Sequence, residues 1–518
     1  MTEPNSRQSE SLPALAEVQR APRLSVGDLL RSQAVRTPNA PAVTEGNRTL
    51  SYAAFNARVN RLANALEVIG ITRGMRVAIL SENRIEYVEL ELACAKIGAI
   101  ACALNWRLAD PELEHCIRLV APALAVVSPR FAGVVERIDH QVPCILPLGA
   151  PYEAALESAT DDEPNIDIDP EDGLLVLYTS GTTGLPKGAL ISHRAEIARM
   201  HVNREEMKLA PGDVFIAWPP MFHMASSDQM ISCLCTGAHV IVVDGFDLDR
   251  IISLVGVYEL WWLIVLPGTV DRFCAAVRER GITPKGAKLL GAMADLIPSQ
   301  QIADLTALMR APFSNTFGAT ETGLPPASAG TLAIGRVPES LAKTISTLCA
   351  IRLVDADDRE VADGEAGELA IRGPTLFSGY WNAPEATAHD FRGGWFHMGD
   401  AFRRNPDGTL AFVDRVKYLI KSGGENIYPA EIERVLLSDP RVVEAVVVRK
   451  PDAQWGEVPV AFVARNDEAL SANTLIALCR GQLAGYKRPK EIHFVAFDAF
   501  PRSTTGKVQR GEVELWLR

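Results

Sequence analysis

Short runs of consecutive apolar residues alternate along most of the chain with stretches whose apolar positions recur at helical spacing. Arg76-Val77-Ala78-Ile79-Leu80, Ile100 to Leu104 and Ala123 to Val127 read as strands, with helices near 84–97 and 110–120 between them. Strands that are apolar along their whole length and separated by helices predict a parallel sheet covered on both faces. The pattern resumes with strands at Val214 to Ala217, His239 to Val243, Leu260 to Leu266 and Lys288 to Leu290. After about residue 345 the texture changes. Ile351 to Asp355 and Glu368 to Arg372, with turns such as Asp363-Gly364 between them, predict a small β-rich sub-unit. A compact α/β pattern follows Arg415: Ile427 to Leu437, Val442 to Val448, Val458 to Ala464 and a helix near 471–484. The fold class is therefore α/β: a large multi-layer N-terminal domain (25–414) of parallel sheets with helices plus the β-rich sub-unit, then a small α+β C-terminal domain (415–518).

Bulk composition agrees with that organisation and removes some functions. The 518 residues exceed one ordinary domain, and 47% hydrophobic against 22% charged is a globular balance. The 52 Lys+Arg against 64 Asp+Glu give −12, which argues against a nucleic-acid partner. Nine scattered cysteines without a CxxC pair read as thiols of a reducing compartment. Residues 1–24 are rich in Ser, Pro and charge and lack an apolar core, so they read as a flexible tail and not a signal peptide. The most apolar stretch, 251–266, is interrupted by Glu259 and is shorter than the ~18 residues of a membrane span. The expectation is a cytoplasmic protein with no integral membrane segment, as monomer or homodimer.

The strongest chemical signal is Tyr178-Thr179-Ser180-Gly181-Thr182-Thr183-Gly184-Leu185-Pro186-Lys187-Gly188, which follows the apolar run Leu174 to Leu177 and precedes a helical stretch. Four hydroxyls and three glycines on one loop suit close wrapping of phosphate oxygens, and Lys187 adds positive charge. The spacing is not that of a Walker A loop, which places a glycine five residues before its Gly-Lys.

This loop resembles the phosphate loop of the adenylate-forming superfamily, which comprises acyl-CoA synthetases, adenylation domains of peptide synthetases and beetle luciferases. The resemblance runs from about residue 25 to 510, and further motifs occur in the family's order. Asn315-Thr316-Phe317-Gly318-Ala319-Thr320-Glu321 resembles the adenine and magnesium motif, with Phe317 where the family usually has Tyr. The resemblance implies that Phe317 stacks on adenine beside Asn315 and Thr316. It implies that Thr320 contacts the α-phosphate and that Glu321 helps hold Mg²⁺, a sensible task for a hard carboxylate. Gly394 to Asp400 resembles the ribose motif, which assigns Asp400 to the ribose hydroxyls and Arg415 to ribose or phosphate. Pro220-Met221-Phe222-His223-Met224 resembles the mouth of the acyl pocket, with His223 near the substrate carboxylate. Pro501 to Lys507 resembles the C-terminal catalytic motif. There Lys507 would ease the approach of two anions, carboxylate and α-phosphate. The resemblance also makes the C-terminal domain mobile, with a hinge near Lys417.

The acyl acceptor rests on separate segments. Lys421 to Pro429, with the pair Gly423-Gly424, resembles the acyl-CoA synthetase branch, and paired glycines let a narrow pantetheine arm run against backbone. Asp452 to Glu457 and Tyr486 to Lys490 also resemble that branch, which implies Trp455, Tyr486, Arg488 and Lys490 as candidates for the CoA nucleotide, with rings for adenine and cations for phosphates. The implied activity is an ATP-dependent acyl-CoA synthetase using ATP, Mg²⁺ and coenzyme A. An adenylation enzyme that loads a carrier protein is the alternative, and a degenerate nucleotide-binding scaffold is a third reading. Thr320, Glu321, Asp400 and Lys507 together count against the third. The acid itself stays open among aromatic, cyclic and medium- or long-chain hydrophobic acids. Met293 stands where it could intrude on the acyl pocket, and Tyr418 replaces an acid common after the hinge. The stretch Met224 to Asp228 is small and polar, leaving room for a broad substrate, with Asp228 open to the alternative of capping the following helix.

Overall fold

The computed structural model describes residues 20–21, 23–179, 185–265, 268–423, 425–502 and 508–517. Ser180, Gly181, Thr182, Thr183, Gly184, Gly424 and Lys507 of the expected site, and nearly all of the expected tail, lie outside the described residues. The chain divides into two compact units. One comprises Met1–Glu339, Ser346–Leu348 and Gly373–Thr387; the other comprises Ser340–Ile345, Cys349–Arg372 and Ala388–Arg518.

The first unit holds two mostly parallel sheets. The six-stranded sheet runs in space Cys144–Pro147, Leu124–Val127, Arg76–Leu80, Ile100–Ala103, Gly173–Thr179 and Lys187–Ser192, parallel until its last, antiparallel strand. Its inner strands are buried along nearly their whole length, which is why they read as continuous apolar runs. The eight-stranded sheet runs Thr331–Leu332, Phe313–Ser314, Ala287–Leu290, Leu260–Leu263, Val214–Ala217, His239–Val242, Pro41–Glu45 and Arg48–Ser51, with antiparallel strands only at its two edges. Within the apolar stretch 251–266, residues 251–257 belong to the Leu248–Val257 helix and 260–263 to the Leu260–Leu263 strand. Among the described residues no helix is long and apolar enough to cross a membrane.

Helices of this unit enter the core by their composition. The Ile85–Ile97 helix is buried at every position, including Glu86, Glu89, Glu91 and Lys96, so each charge on it needs a partner or must be neutral. Glu89 is met by Arg58 and the Tyr152 hydroxyl, and Lys96 by Glu163. The helices His193–Glu205 and Met224–Thr236 pack on each other, and the second also packs on Ile85–Ile97.

The second unit contains a four-stranded antiparallel sheet of Ala350–Val354, Ala366–Arg372, Phe396–Arg404 and Leu410–Arg415, the β-rich pattern read from the sequence. It also contains a five-stranded sheet built on the long hairpin Val442–Asp452 and Gly456–Arg465, with Glu491–Phe494 added in parallel. Ile420, Ile432, Leu436, Val447, Ala461 and Leu475 form a core there with the Pro429–Leu436 and Ala472–Gln482 helices.

Candidate active site

The strand entering the glycine-rich loop ends at Thr179, and the chain leaves the loop into a second strand, not into a helix. Gly173–Thr179 and Lys187–Ser192 pair antiparallel, with Thr179 opposite Lys187. The loop therefore closes a hairpin, and the helix expected directly after it begins only at His193, capped by the Ser192 hydroxyl. Local periodicity after Gly188 is apolar enough for either element, and pairing to the neighbouring strand decides it.

A further segment adds to the edge of this hairpin. Ser378 N–H donates to the Leu190 carbonyl, Leu190 N–H to the Gly379 carbonyl and Trp381 N–H to the Gly188 carbonyl. That pairing places the ring of Tyr380 3.8 Å from Lys187 Nζ. The Tyr380 hydroxyl donates to Glu321 Oε1 at 3.1 Å. Two motifs separated by more than a hundred residues thus meet on one tyrosine. The sequence reading missed Tyr380; its signal was the aromatic pair Tyr380-Trp381 directly after Ser378-Gly379.

Glu321 is held by local backbone. Thr322 N–H donates to the Ala319 carbonyl and Ala319 N–H to Thr322 Oγ1, both at 3.0 Å, so Thr320 and Glu321 occupy the centre of a β-turn. Gly318 and Ala319 pair antiparallel with the strand Gly323–Pro326. A β-carbon on Gly318 would lie 1.9 Å from the Gly323 carbonyl oxygen, so only glycine permits this approach. Phe317 is buried, its N–H bonded to Ser328 Oγ, and Asn315 Oδ1 accepts from Ala294 N–H. Thr316 is buried beside them, whereas the Thr320 and Glu321 side chains stay half-buried.

His223 stands at the N-cap of the Met224–Thr236 helix, its Nδ1 accepting from Ala225 N–H at 3.1 Å. That bond fixes the neutral tautomer with hydrogen on Nε2. Asp228 does not cap this helix. It lies inside it, fully buried and ion-paired with Arg199 at 3.0 Å. Within the small and polar stretch Met224 to Asp228, Ser226, Ser227 and Asp228 are buried and bonded to neighbours. Arg199 escaped the sequence reading; its signal was a cation one turn after Glu196 among Ala195, Ala198 and Val202.

In the second unit Asp400 and Arg415 sit opposite each other on paired strands, with Arg415 Nε 2.8 Å from Asp400 Oδ1. Asp414, beside them, accepts from Ala430 N–H and from Arg510, which also binds Glu433 and covers the Tyr418 ring. Gly423 has φ +58°, and Trp455 lies directly against it, where a β-carbon would be 2.7 Å from the indole. Trp455 and Tyr486 are exposed, Arg488 Nε donates to the Leu483 carbonyl, and Lys490 is exposed. The structure thus gathers Gly423 with Trp455 and Asp400 with Arg415.

A layered α/β unit with a glycine-rich segment between paired strands, and a turn whose carboxylate shares one tyrosine with that segment's lysine, has the frame of an adenylate-forming enzyme. Residues 30–381 match the family model described as AMP-binding enzyme, and 431–507 match the AMP-binding enzyme C-terminal domain. A feruloyl-CoA synthase of an Amycolatopsis species is 34% identical over 92% of this chain and 96% of its own. A fatty acid–[acyl-carrier-protein] ligase of Streptomyces coeruleorubidus is 32% identical over 92% and 93%. The solved o-succinylbenzoate CoA synthetase of Bacillus subtilis, in complex with its acyl-adenylate intermediate, superposes with TM-score 0.82 at 26% identity, covering 94% of this chain and 97% of that one. The chain belongs to the AMP-binding enzyme family, as an AMP-forming acid–thiol ligase.

Proposed function

We propose that the protein activates an aromatic or other hydrophobic carboxylic acid with ATP and Mg²⁺ and transfers the acyl group to coenzyme A. In the first step a carboxylate oxygen bonds to the α-phosphorus, and the bond from that phosphorus to pyrophosphate breaks. In the second the thiol sulfur bonds to the acyl carbon, the acyl–oxygen bond to AMP breaks, and the sulfur's proton passes to water. No deprotonation of the acid is required, because a carboxylate is already ionised at pH 7.

The observation that supports this reading best is the meeting of Lys187 and Glu321 at Tyr380. A cation over the ring of one tyrosine and a carboxylate at its hydroxyl suit a phosphate chain and its counter-ion. Among the described residues no cluster of three or more His, Cys, Asp or Glu side chains could cage a metal. A single carboxylate at Glu321 fits Mg²⁺, which is bound in such sites through one or two carboxylates plus substrate phosphates. Mg²⁺ held there would neutralise phosphate charge as pyrophosphate leaves. Thr320, beside it in the turn, would donate to the α-phosphate, and Thr179 and Lys187 flank the loop that would wrap phosphate oxygens. Phe317, Asn315 and Thr316 would take the adenine, and Asp400 with Arg415 the ribose. His223, with hydrogen on Nε2, can donate to the acid's carboxylate. Lys507 would serve the first step, and Gly423, Gly424, Trp455, Tyr486, Arg488 and Lys490 the CoA arm and nucleotide. The two steps would use two orientations of residues 415–518 about Lys417.

The likeness to a feruloyl-CoA synthase and an o-succinylbenzoate CoA synthetase supports an aromatic acid. The likeness to a carrier-protein ligase supports a second reading, in which a protein-borne phosphopantetheine replaces CoA. A panel of ferulate, 2-succinylbenzoate and octanoate, scored for AMP and acyl-CoA with free CoA, tests both. AMP release without acyl-CoA under steady turnover would favour the carrier protein.

A further inference from the structure

Arg199 is buried, with its side chain 2% exposed, and it donates in three directions. Nη1 meets Asp228 Oδ2 at 3.0 Å, Nη2 the Thr320 carbonyl at 2.9 Å and Nε the Thr375 carbonyl at 3.1 Å. Its aliphatic stem packs on Gly323, where a β-carbon would sit 2.8 Å from Arg199 Cγ. The two carbonyls it holds belong to the two segments that build the site. Thr320 precedes Glu321 in the turn. Thr375 leads into the segment whose Phe377 N–H bonds the Glu321 carbonyl and whose Tyr380 hydroxyl bonds the Glu321 carboxylate. A planar fork of fixed N–H directions can hold two backbone segments in one register, which a flexible ammonium cannot.

We infer that Arg199, clamped by Asp228, is a positioning residue that fixes the Thr320–Glu321 turn against the Tyr380 segment. The inference rests on the reading of Glu321 as the Mg²⁺ carboxylate.

The surroundings explain why the clamp is buried and why it needs Asp228. Three carboxyl groups cluster here: Asp228 on the guanidinium, Glu196 one turn before Arg199 on the same helix, and Glu91, bonded to Ser227 from the helix packed on that of Asp228. Both Glu196 oxygens and Glu91 Oε2 have no hydrogen-bond partner among the described residues. Burial raises Glu196 far above the ordinary carboxyl range and pushes Glu91 up to about 8. Burial raises Asp228 as well, but the Arg199 charge and hydrogen bond pull it back down, so of the three it is the carboxyl that supplies the counter-charge. A buried guanidinium without it would be strongly unfavourable.

The test compares Arg199→Met, Arg199→Lys and Glu321→Gln in ATP–pyrophosphate exchange, using whichever of ferulate, 2-succinylbenzoate and octanoate the wild type exchanges fastest. Arg199→Met should lower kcat by about 10–100-fold, the cost of misplacing a group at the reacting centre. It should raise the half-saturating Mg²⁺ concentration while moving KM for the acid by less than about twofold. Arg199→Lys keeps a charge for Asp228 and should keep the thermal midpoint near wild type, yet not restore the Mg²⁺ curve. The double variant Arg199→Met with Glu321→Gln should be no slower than Glu321→Gln alone. Wild-type exchange and Mg²⁺ dependence in folded Arg199→Lys would overturn the proposal, as would effects of Arg199→Met and Glu321→Gln that simply multiply. An unchanged Mg²⁺ curve in Glu321→Gln would refute the metal reading instead. Hydrogen exchange of the amides at 319–323 then decides positioning: faster exchange in Arg199→Lys supports it, and unchanged exchange overturns it.

Discussion

Gly318→Ala isolates the Thr320–Glu321 turn more cleanly than any change to the turn's own side chains. The new methyl group removes no hydrogen bond and no charge. It would, however, lie 1.9 Å from the Gly323 carbonyl oxygen and 2.9 Å from that of Leu324, both backbone atoms that cannot rotate aside. Restoring ordinary contact requires the two strands flanking the turn to part by about 1.5 Å, and a displacement of even about 1 Å near a reacting centre costs on the order of 100-fold in rate. Gly323 cannot yield freely, because the Arg199 stem packs on it and the turn's own bonds at Ala319 and Thr322 hold its other side. The expected result is a loss of about 100-fold in ATP–pyrophosphate exchange, with the thermal midpoint lowered by only a few degrees, since the core clusters of both units are untouched. The assay is exchange of labelled pyrophosphate into ATP at saturating Mg²⁺, alongside a melting curve on the same preparation. A Gly318→Ala protein with wild-type exchange would refute the claim that this turn's position matters to the chemistry.

Three further outcomes follow from particular contacts. Tyr380→Phe keeps the ring beside Lys187 but removes the donor to Glu321; hydrogen bonds to charged groups are worth about 1.5–3 kcal/mol when buried, so this half-buried one should cost roughly tenfold in kcat/KM for MgATP. Equal kcat/KM would show that the hydroxyl does not orient the carboxylate. Glu91→Gln should change the pH dependence of stability. The folded carboxyl is pushed up to about 8 by burial, so between its unfolded value of 4.5 and 8 the folded state holds a proton the unfolded state has lost. Glu91's stabilisation is present in full below 4.5 and fades by about 1 kcal/mol per pH unit up to pH 8. The buried His193 and His239, lowered to about 4, act oppositely and only below pH 6.5. Burial also raises Glu196 far above the ordinary range and Glu433 to about 7, so in melting curves from pH 6.5 to 8 it is the difference between wild type and Glu91→Gln that reports Glu91. A slope there as steep in Glu91→Gln as in wild type would contradict the assignment. Lys507→Ala should abolish most adenylation yet spare thioester formation from supplied acyl-adenylate, because only the first step joins two anions; equal loss in both half-reactions would remove that role.

Much of the fold was legible because strands such as Arg76–Leu80 and Val214–Ala217 are covered on both faces and must be apolar throughout. The Ile85–Ile97 helix was legible by length, although its buried Glu89, Glu91 and Lys96 obey no amphipathic pattern. What local pattern could not carry was long-range pairing. The strand Lys187–Ser192 follows a glycine-rich loop as a helix would in a dinucleotide fold, and only its partner Gly173–Thr179 makes it a strand. Tyr380 reaches the site because residues 378–381 add to that hairpin's edge, an event invisible at its own position. Asp228 reads locally as a cap, since an acid near a helix start usually is one. Its actual role depends on Arg199, a helix away. The glycine at 318 was quoted only as part of a motif, and its necessity emerges from the opposing Gly323 carbonyl.

The most direct test of the central claim follows the fate of ATP. The purified protein is incubated with ATP, Mg²⁺ and each acid of the panel, first without and then with free coenzyme A, and nucleotide and acyl products are separated. Acid-dependent pyrophosphate exchange is expected without CoA, and on CoA addition AMP and acyl-CoA in equal amounts. ADP as the nucleotide product, or no acid-dependent exchange with any aromatic or aliphatic acid, would contradict it.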